Sequence, residues 1–265
     1  MDSEILQGRY RLERLLGQGN FGRVFLARDI DLQRDVAVKI PAEDRMSDVD
    51  RRREYLREAR MVAGLEHPHI LPIYHVGKTD SGAVYLVTRF IEGETLGSLL
   101  RRSRPAEREA VELLIPVISA LGYAHRQGCV HRDVKPDNIL LERRTGQQFL
   151  ADFGLAIEES EYRHSDVVSG TPAYMSPEQV RGEGHRLDGR SDLFSVGVIL
   201  YEVLTGQKPF RGGSVADVLR SVRSGVVRPP QEVNGGVSSE LQRICLRALA
   251  RLATDRYQTA GGAGI

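Results

Sequence analysis

The segment that most constrains the fold is residues 191–206, which are apolar around nearly the whole circumference of a helix. They spell Ser-Asp-Leu-Phe-Ser-Val-Gly-Val-Ile-Leu-Tyr-Glu-Val-Leu-Thr-Gly. A helix that is apolar on all sides must be buried, so the chain needs a lobe large enough to surround it. We expect Ser191 or Asp192 to cap this helix and Gly206 to end it.

Four other segments have the apolar period of amphipathic helices, namely residues 50–65, 107–127, 215–223 and 239–252. The apolar stripe of the first consists of Tyr55, Leu56, Ala59, Met61, Val62 and Leu65, and that of the second of Leu113, Leu114, Val117, Ile118, Leu121 and Tyr123. Pro116 removes a backbone donor from the second, so we expect a kink there or the effective start of the helix. Gly128 should end it.

The first 90 residues contain short segments that are rich in β-branched and aromatic residues. They predict strands at residues 10–16, 23–28, 36–40, 70–76 and 83–90, with a turn at 78–82 between the last two. Strands near the amino end followed by helices predict an α+β chain. The 265 residues suffice for one large domain or for two lobes around a cleft.

Composition excludes several classes of protein. The net charge is +1, so no global field attracts nucleic acid or an anionic membrane, and we expect no nucleic-acid partner. We interpret Arg51-Arg52-Arg53 as the solvated face of a helix, and His67-Pro68-His69 as a turn, because no third metal ligand is nearby. Cys129 and Cys245 predict buried thiols in a reducing compartment, hence a cytoplasmic location. The sequence has no signal peptide and no apolar run that could span a bilayer.

The stretch Gly17-Gln18-Gly19-Asn20-Phe21-Gly22 has a spacing that phosphate-binding loops share with dinucleotide-binding folds. A dinucleotide fingerprint should open a helix. Here the following residues, Arg23-Val24-Phe25-Leu26-Ala27-Arg28, favour a second strand, so the glycines should form the tip of a hairpin. Backbone amides in such a tip can approach phosphates because no side chains block them.

A dense run of ionisable groups occupies residues 131–138, His-Arg-Asp-Val-Lys-Pro-Asp-Asn, between apolar flanks. We expect a loop between two buried strands, which is a common place for catalytic groups. The order resembles the catalytic loop of protein kinases. That resemblance implies that Asp133 accepts the proton of the substrate hydroxyl and that Asn138 binds Mg²⁺. Asp152-Phe153-Gly154 resembles the second metal motif, with Asp152 as ligand and Phe153 packed inward.

The resemblance to protein kinases covers nearly the whole chain, with its motifs in the expected order. It implies a bilobal protein-kinase fold in residues 10–260, with a small antiparallel β-sheet lobe containing one helix (about 10–90), a hinge (89–94) and a larger, mostly helical lobe (about 95–260). Lys135 is typical of serine/threonine kinases, and several phrases are similar to bacterial receptor-type kinases. The resemblance further implies that Asp192 holds the catalytic loop and that Arg256 pairs with Glu178.

The resemblance also implies the remaining site residues. Lys39, in Val36-Ala37-Val38-Lys39, would bind the α- and β-phosphates and pair with Glu58, and Lys135 would offset charge on the γ-phosphate. Thr171 would lie near Asp133. The expected ATP-binding residues are Leu16, Gly17, Gln18, Gly19, Asn20, Phe21, Gly22, Arg23, Val24, Ala37, Lys39, Thr88, Arg89, Ile91 and Leu140. Arg89 stands where an acid is usual, a departure that backbone contacts at the hinge would tolerate. The expected metal is Mg²⁺, with Mn²⁺ as a substitute.

Residues 155–174 resemble an activation loop, with Ser165 as the first and Ser169 as the second expected phosphorylation site. A phosphate there could be held by Arg132. The expected partners are proteins with serine or threonine hydroxyls, and a second copy of the chain for autophosphorylation in trans. The glycine-rich end at 261–265 suggests a piece of a longer protein, so a membrane anchor beyond it is conceivable.

Two other functions remain open from the sequence. The first is a pseudokinase that signals by docking, although such proteins normally lack the lysine, the catalytic acid or the metal acid, and Lys39, Asp133 and Asp152 are all present. The second is a dinucleotide-dependent oxidoreductase, which the predicted strand after the glycines opposes.

Overall fold

The computed structural model describes residues 4–19, 22–42, 49–79, 82–153, 171–183 and 187–263. The chain divides into two compact units, the first formed by Met1–Glu66 with Ile70–Glu92 and the second by His67–His69 with Gly93–Ile265. The first contains an antiparallel sheet and one helix, and the second is mostly helical. The α+β prediction is therefore confirmed.

The sheet of the first unit has six antiparallel strands in the order β1-β2-β3-β4-β6-β5. The strands are β1 Ile5–Leu6, β2 Tyr10–Gly19, β3 Gly22–Asp29, β4 Arg34–Ile40, β5 Ile73–Lys78 and β6 Val84–Arg89, and helix α1 spans Val49–Ala63. Apolar side chains of β1 to β4 and β6, among them Tyr10, Val36 and Val87, form a buried core on this sheet. The alternation of buried and exposed residues along β4 is the pattern expected of a half-buried strand.

The predicted glycine hairpin is confirmed, because β2 and β3 pair directly up to Gly19 opposite Gly22. Gly22 has a φ of +118°, and a Cβ there would lie 2.2 Å from the Ile40 carbonyl oxygen. Only glycine fits this position, since a side chain would meet both a backbone clash and an unfavourable φ. A Cβ at Gly17 or Gly19 would meet no heavy atom within 4 Å in the described part of the chain.

Helix α1 places most of its predicted apolar stripe inward. Tyr55, Ala59 and Val62 are buried, whereas Met61 is 42% exposed, so its assignment to the stripe is wrong. Met61 lies two residues from Ala59, about 200° around the helix, which turns its side chain to the outer face. Glu58 is buried, with only 8% exposed. The pairing of Glu58 with Lys39 that the resemblance implies stays a prediction.

The second unit contains a three-stranded antiparallel sheet and most of the helices. Its strands, in sheet order, are β7 Gly93–Thr95, β8 Ile139–Glu142 and β9 Gln148–Leu150. Its α-helices are α2 Leu96–Arg102, α3 Glu107–Arg126, α4 Pro177–Val180, α5 Gly189–Thr205, α6 Val215–Ser224, α7 Pro230–Val233 and α8 Ser239–Ala248. Short 3₁₀ helices occupy Pro136–Asn138, Thr171–Tyr174, Ala253–Asp255 and Ala260–Ala263.

Helix α5 is the buried centre of this unit, as its composition predicts. All but three of its seventeen residues are buried. The predicted cap is wrong: the helix begins at Gly189, and Asp188 caps it by accepting a hydrogen bond from the Arg190 amide at 2.9 Å. The predicted end is correct, since Gly206 has the left-handed φ of +74° that a helix C-terminus favours.

Helix α3 runs through Pro116 without interruption, so the proline is not the effective start of the helix. Burial of Leu114, Val117 and Ile118 on either side of it holds the helix together despite the missing donor. Gly128, with φ +74°, follows the last turn as predicted.

Three further sequence predictions can be compared with the structure. Helix α8 ends at Ala248, four residues before the predicted end, because residues 249–252 turn toward the 3₁₀ helix at 253–255.

Residues 129 and 130, before the ionisable run, are not a strand but an irregular segment after α3. Of the two strands predicted to flank the run, the described chain has β8, which follows it. The thiols of Cys129 and Cys245 are buried, as predicted. Among the described residues, no helix has both the length and the apolar character needed to cross a membrane.

Candidate active site

One carboxylate holds the start of the ionisable loop. Asp192, 1% exposed at the start of α5, accepts hydrogen bonds from the backbone amides of His131 (Oδ2, 2.8 Å) and Arg132 (Oδ1, 2.8 Å). It also contacts His125 Nε2 through Oδ2 at 2.7 Å. A buried charge needs such partners, and two backbone donors fix the path of the loop. The predicted contact between Asp192 and the loop is confirmed.

The side chain of His131 lies inside the loop and contacts the residues on either side of it. Its side chain is fully buried, and burial lowers its pKa, so the imidazole is neutral. Nε2 lies 3.0 Å from the Ala151 carbonyl oxygen and Nδ1 accepts from the Asp133 amide at 3.3 Å. This pairing requires the tautomer with the proton on Nε2. The ring packs against Phe153 with centroids 4.5 Å apart, so Phe153 is buried as predicted.

The side chain of Asp133 lies among polar partners. Lys135 Nζ donates to Asp133 Oδ2 at 2.7 Å, and Asn138 Nδ2 donates to the same oxygen at 3.1 Å and to the Asp133 carbonyl at 2.8 Å. The side chains of Asp133 and Lys135 remain about one-tenth exposed, at 10% and 12%. The loop thus presents an oriented carboxylate and an ammonium group at one accessible position.

Asn138 and Asp152 supply oxygen ligands of the kind that a hard divalent cation prefers. Both hydrogen bonds of the Asn138 amide use Nδ2, which leaves Oδ1 as an acceptor. Asp152 has a φ of +57° and is exposed between the buried Ala151 and Phe153. Within the described ranges, no group of three or more His, Cys, Asp or Glu side chains forms a metal cluster. One amide oxygen and one carboxylate fit a hard divalent cation that takes few protein ligands and completes its coordination with phosphate and water oxygens.

Helix α4 is anchored by a buried ion pair below the loop. Arg256 Nη1 and Nη2 donate to Glu178 Oε1 and Oε2 at 2.7 and 2.8 Å, which confirms the predicted pair. Ser191 also donates to Glu178 Oε1, at 2.7 Å. Burial by itself would raise the pKa of Glu178, but the hydrogen bonds and charge of Arg256 lower it to about 2.

The first unit places the other predicted residues along its sheet. Lys39 pairs across the strands with Val24 on one side and Leu86 on the other, and Ala37 lies opposite Thr88. Leu16 sits at a register shift of β2, beside Gly17 and Gln18, and is 37% exposed. Gly19, Gly22 and Arg23 continue around the hairpin. Arg89 ends β6, and Ile91 follows it without regular structure.

Several predicted residues lie partly or wholly outside the described part of the chain. Asn20 and Phe21 are among them, as are Ser165 and Ser169. Thr171 opens the 3₁₀ helix at 171–174, and only its backbone is described. Leu140 lies in the second unit on β8, opposite Thr95 and Phe149.

Two contact residues were not predicted. His125, near the end of α3, contacts Asp192, and Gln179, on α4, donates to the Arg132 carbonyl at 2.7 Å. The pattern Ser176-Pro177-Glu178-Gln179 could have indicated a capping box at a helix start. No local pattern indicates either long-range contact.

Comparison with known proteins agrees with this geometry. The family model of the protein kinase domain matches residues 10–260. The chain is 40% identical over 264 residues to serine/threonine-protein kinase PknB of Mycolicibacterium smegmatis, covering 96% of this chain and 42% of that protein. It is 37% identical over 260 residues to serine/threonine-protein kinase PknJ of Mycobacterium tuberculosis, covering 95% and 44%. The chain thus spans less than half the length of these relatives.

A solved structure gives the same fold. The crystal structure of the Mycobacterium tuberculosis PknI kinase domain matches with a TM-score of 0.78 at 25% identity, covering 100% of this chain and 97% of that one. The double mutant C20A_R136N of the same kinase domain matches with a TM-score of 0.79. These likenesses confirm the protein-kinase fold class that the sequence predicted.

Proposed function

This chain belongs to the protein kinase domain family, as a bacterial domain of the eukaryotic-like serine/threonine type, and from that premise we propose that it transfers the γ-phosphoryl group of ATP to serine and threonine hydroxyls of proteins. One observation carries the proposal: the Asp133 carboxylate is fixed beside Lys135 Nζ and Asn138 Nδ2. The family uses ATP and a divalent cation in general. The pseudokinase alternative is not supported, because Lys39, Asp133 and Asp152 are all present and the relatives are named as kinases.

Phosphoryl transfer depends mainly on positioning and on charge neutralisation. In our proposal, Asp133 orients the substrate hydroxyl and accepts its proton as the hydroxyl oxygen bonds to the γ-phosphorus and the bond from that phosphorus to ADP breaks. Lys135, which pairs with Asp133 in this structure, neutralises negative charge on the transferring phosphoryl group. Asn138 fixes the backbone of Asp133 through its Nδ2, which leaves its Oδ1 as the atom that would bind a cation. The loop backbone stays in place because Asp192 holds two of its amides.

Mg²⁺, held by Asn138 Oδ1 and Asp152, would supply charge neutralisation at the phosphates. Among the residues of the first unit, Lys39 would bind the α- and β-phosphates and Glu58 would orient it. The backbone amides of residues 17–22 would bind the phosphates, and the absence of any described heavy atom within 4 Å of a Cβ at Gly17 or Gly19 supports this. The adenine would be bound by Leu16, Val24, Ala37, Thr88, Arg89 and Ile91 of this unit.

Regulation follows from the same proposal. Ser165 or Ser169 would be phosphorylated by a second copy of the chain acting in trans, and the exposed Arg132 would hold the phosphate. A cytoplasmic location suits ATP use and the two buried thiols.

The decisive test replaces Asp133 with alanine. Because Asp133 would act on the hydroxyl and not on the nucleotide, Asp133→Ala should bind Mg-ATP as the wild type does and should lose phosphoryl transfer by roughly 10²- to 10⁴-fold. Transfer is measured with radiolabelled ATP and a serine-rich test protein, and ATP affinity by calorimetry.

The matched control is Asp137→Asn, in the same loop, whose carboxylate is 57% exposed and contacts Arg101. It should retain wild-type transfer. An Asp133→Ala protein that labels the test protein at the wild-type rate refutes the assignment. Intact-mass spectrometry after incubation with Mg-ATP then tests autophosphorylation and locates the modified residues.

A further inference from the structure

The amide side chain of Gln179 joins α4 to the catalytic loop. It is 7% exposed, and its Nε2 donates to the Arg132 carbonyl oxygen at 2.7 Å. The two residues are 47 positions apart in sequence. The distance lies within the usual range for an amide-to-carbonyl hydrogen bond, and the burial of the donating side chain limits competition from water.

A second contact determines whether the oxygen or the NH₂ group of the Gln179 side chain faces the loop. The backbone amide of Ser176, a fully buried residue, donates to Gln179 Oε1 at 2.9 Å. The oxygen of the side chain must therefore face Ser176, and only the NH₂ group can face Arg132. Ser176 and Gln179 form the capping box of α4, and Glu178 between them is anchored by Arg256. Helix α4 is anchored in this way, so the Nε2 donor of Gln179 has a fixed position.

The accepting carbonyl belongs to the peptide that immediately precedes the Asp133 side chain. The same peptide donates its Asp133 amide to His131 Nδ1 at 3.3 Å. Gln179 therefore binds the carbonyl of this peptide, and His131 binds its amide. Arg132 itself has a φ of +67°, a left-handed conformation that a residue with a side chain adopts only when its surroundings impose it.

Rotation of this peptide would change the direction of the Asp133 side chain, because the peptide plane sets the φ of Asp133. Asp192 cannot prevent that rotation, since it holds the amides of His131 and Arg132, which lie before the peptide in question. The bonds from Gln179 and to His131 act on the peptide itself.

We propose that Gln179 is a positioning residue for phosphoryl transfer, which fixes the Arg132–Asp133 peptide and through it the direction of the Asp133 carboxylate. The inference rests on the proposed kinase function for its kinetic consequence, but its structural part can be measured without catalysis. It also assigns a role to α4, which supports the catalytic loop directly through one neutral side chain.

The test uses Gln179→Glu in the full 265-residue chain. Glutamate has the same length and serves equally well in a capping box, but as a carboxylate it has no hydrogen to donate to the Arg132 carbonyl. We expect kcat to fall by roughly tenfold to a hundredfold, with the KM and the binding affinity for Mg-ATP unchanged, because displacement of a catalytic group costs rate rather than binding.

The matched control is Gln231→Glu. Gln231 Nε2 donates to the Val237 carbonyl at 2.9 Å and to Ser239 Oγ at 3.2 Å, so the substitution removes the same kind of bond between α7 and the residues at the start of α8. It should leave kcat unchanged. If Gln179→Glu lowers kcat no more than Gln231→Glu does, or lowers ATP affinity as much as kcat, the positioning role is refuted.

Hydrogen exchange of the backbone amides of residues 131–134 provides the readout that does not need activity. In Gln179→Glu the Asp133 amide should exchange faster than in the wild type and in Gln231→Glu. Equal exchange in all three proteins overturns the inference, whatever the kinetics show. A wild-type chain that transfers no phosphate overturns the proposed function instead, and the exchange result still decides the role of Gln179.

Discussion

Removal of Arg256 should destabilise the second unit more than removal of any exposed arginine. Its guanidinium uses all five donors: two N–H groups bind Glu178, and the others reach the carbonyls of Ala250, Arg190 and Arg251 at 2.8 to 3.2 Å. Its side chain is 0% exposed and that of Glu178 is 6% exposed. In Arg256→Met the Glu178 carboxylate stays buried without its counter-charge.

Two arguments give the same magnitude for this loss. Breaking a buried pair by removing one partner costs roughly 3 to 5 kcal/mol. Independently, the pKa of Glu178 falls from 4.5 to about 2 in the folded protein, which corresponds to about 3 kcal/mol of stabilisation at neutral pH. A loss of that size should lower the Tm by roughly 6 to 20 °C.

The lowered pKa also fixes the sign of the pH dependence. Because the folded value lies below the unfolded one, the stabilisation is complete above pH 4.5 and is lost as the pH falls toward 2. Wild-type stability should therefore decline over that window. A Glu178→Gln variant should lack this component of the decline.

Thermal and urea unfolding at pH 7 measure the effect. The control is Arg243→Met, because Arg243 pairs with Glu240 at 2.6 Å on the surface, where both side chains are more than half exposed. It should change the Tm little. The double variant Arg256→Met with Glu178→Met should be more stable than Arg256→Met alone, since no charge then remains buried. The reasoning fails if Arg256→Met and Arg243→Met lower the Tm equally.

Two further substitutions test local features of the fold. Gly22→Ala should destabilise the first unit by roughly 1 to 3 kcal/mol, because its Cβ would clash with the Ile40 carbonyl at an unfavourable φ. The control is Gly17→Ala, whose Cβ would meet no described atom within 4 Å. Equal Tm values for the two variants would contradict the prediction. Asp188→Ala should lower the free energy of unfolding by about 1 kcal/mol, because it removes the cap on the Arg190 amide, whereas Asp188→Asn should retain most of that stability. Urea unfolding distinguishes the two variants, and equal losses of stability would disprove the capping role.

Local sequence was sufficient wherever neighbours in the chain determine the conformation. The strand-forming residues after Gly22 indicated a hairpin rather than a helix, and the pairing of Gly19 with Gly22 confirms it. Gly206 and Gly128 were expected at helix ends, and both have the left-handed φ that those positions favour. The all-round apolar character of residues 191–206 indicated burial, and α5 is buried.

Predictions from local pattern failed where a side chain was engaged elsewhere. Ser191 and Asp192 are good capping residues, but Ser191 donates to Glu178 and Asp192 binds the loop amides, so Asp188 caps α5 instead. Pro116 would break an isolated helix, yet the packing of its neighbours holds α3 intact.

The sequence by itself determined the chemistry available to this protein: the order of its acids, lysines and glycines, and the strands and helices that carry them. Only the tertiary structure decided which carbonyl Gln179 binds and which amides Asp192 holds, because these partners lie 47 and 61 residues away. A hydrogen bond depends on distance and direction in space, and a period of two or of 3.6 residues carries no information about either across such separations.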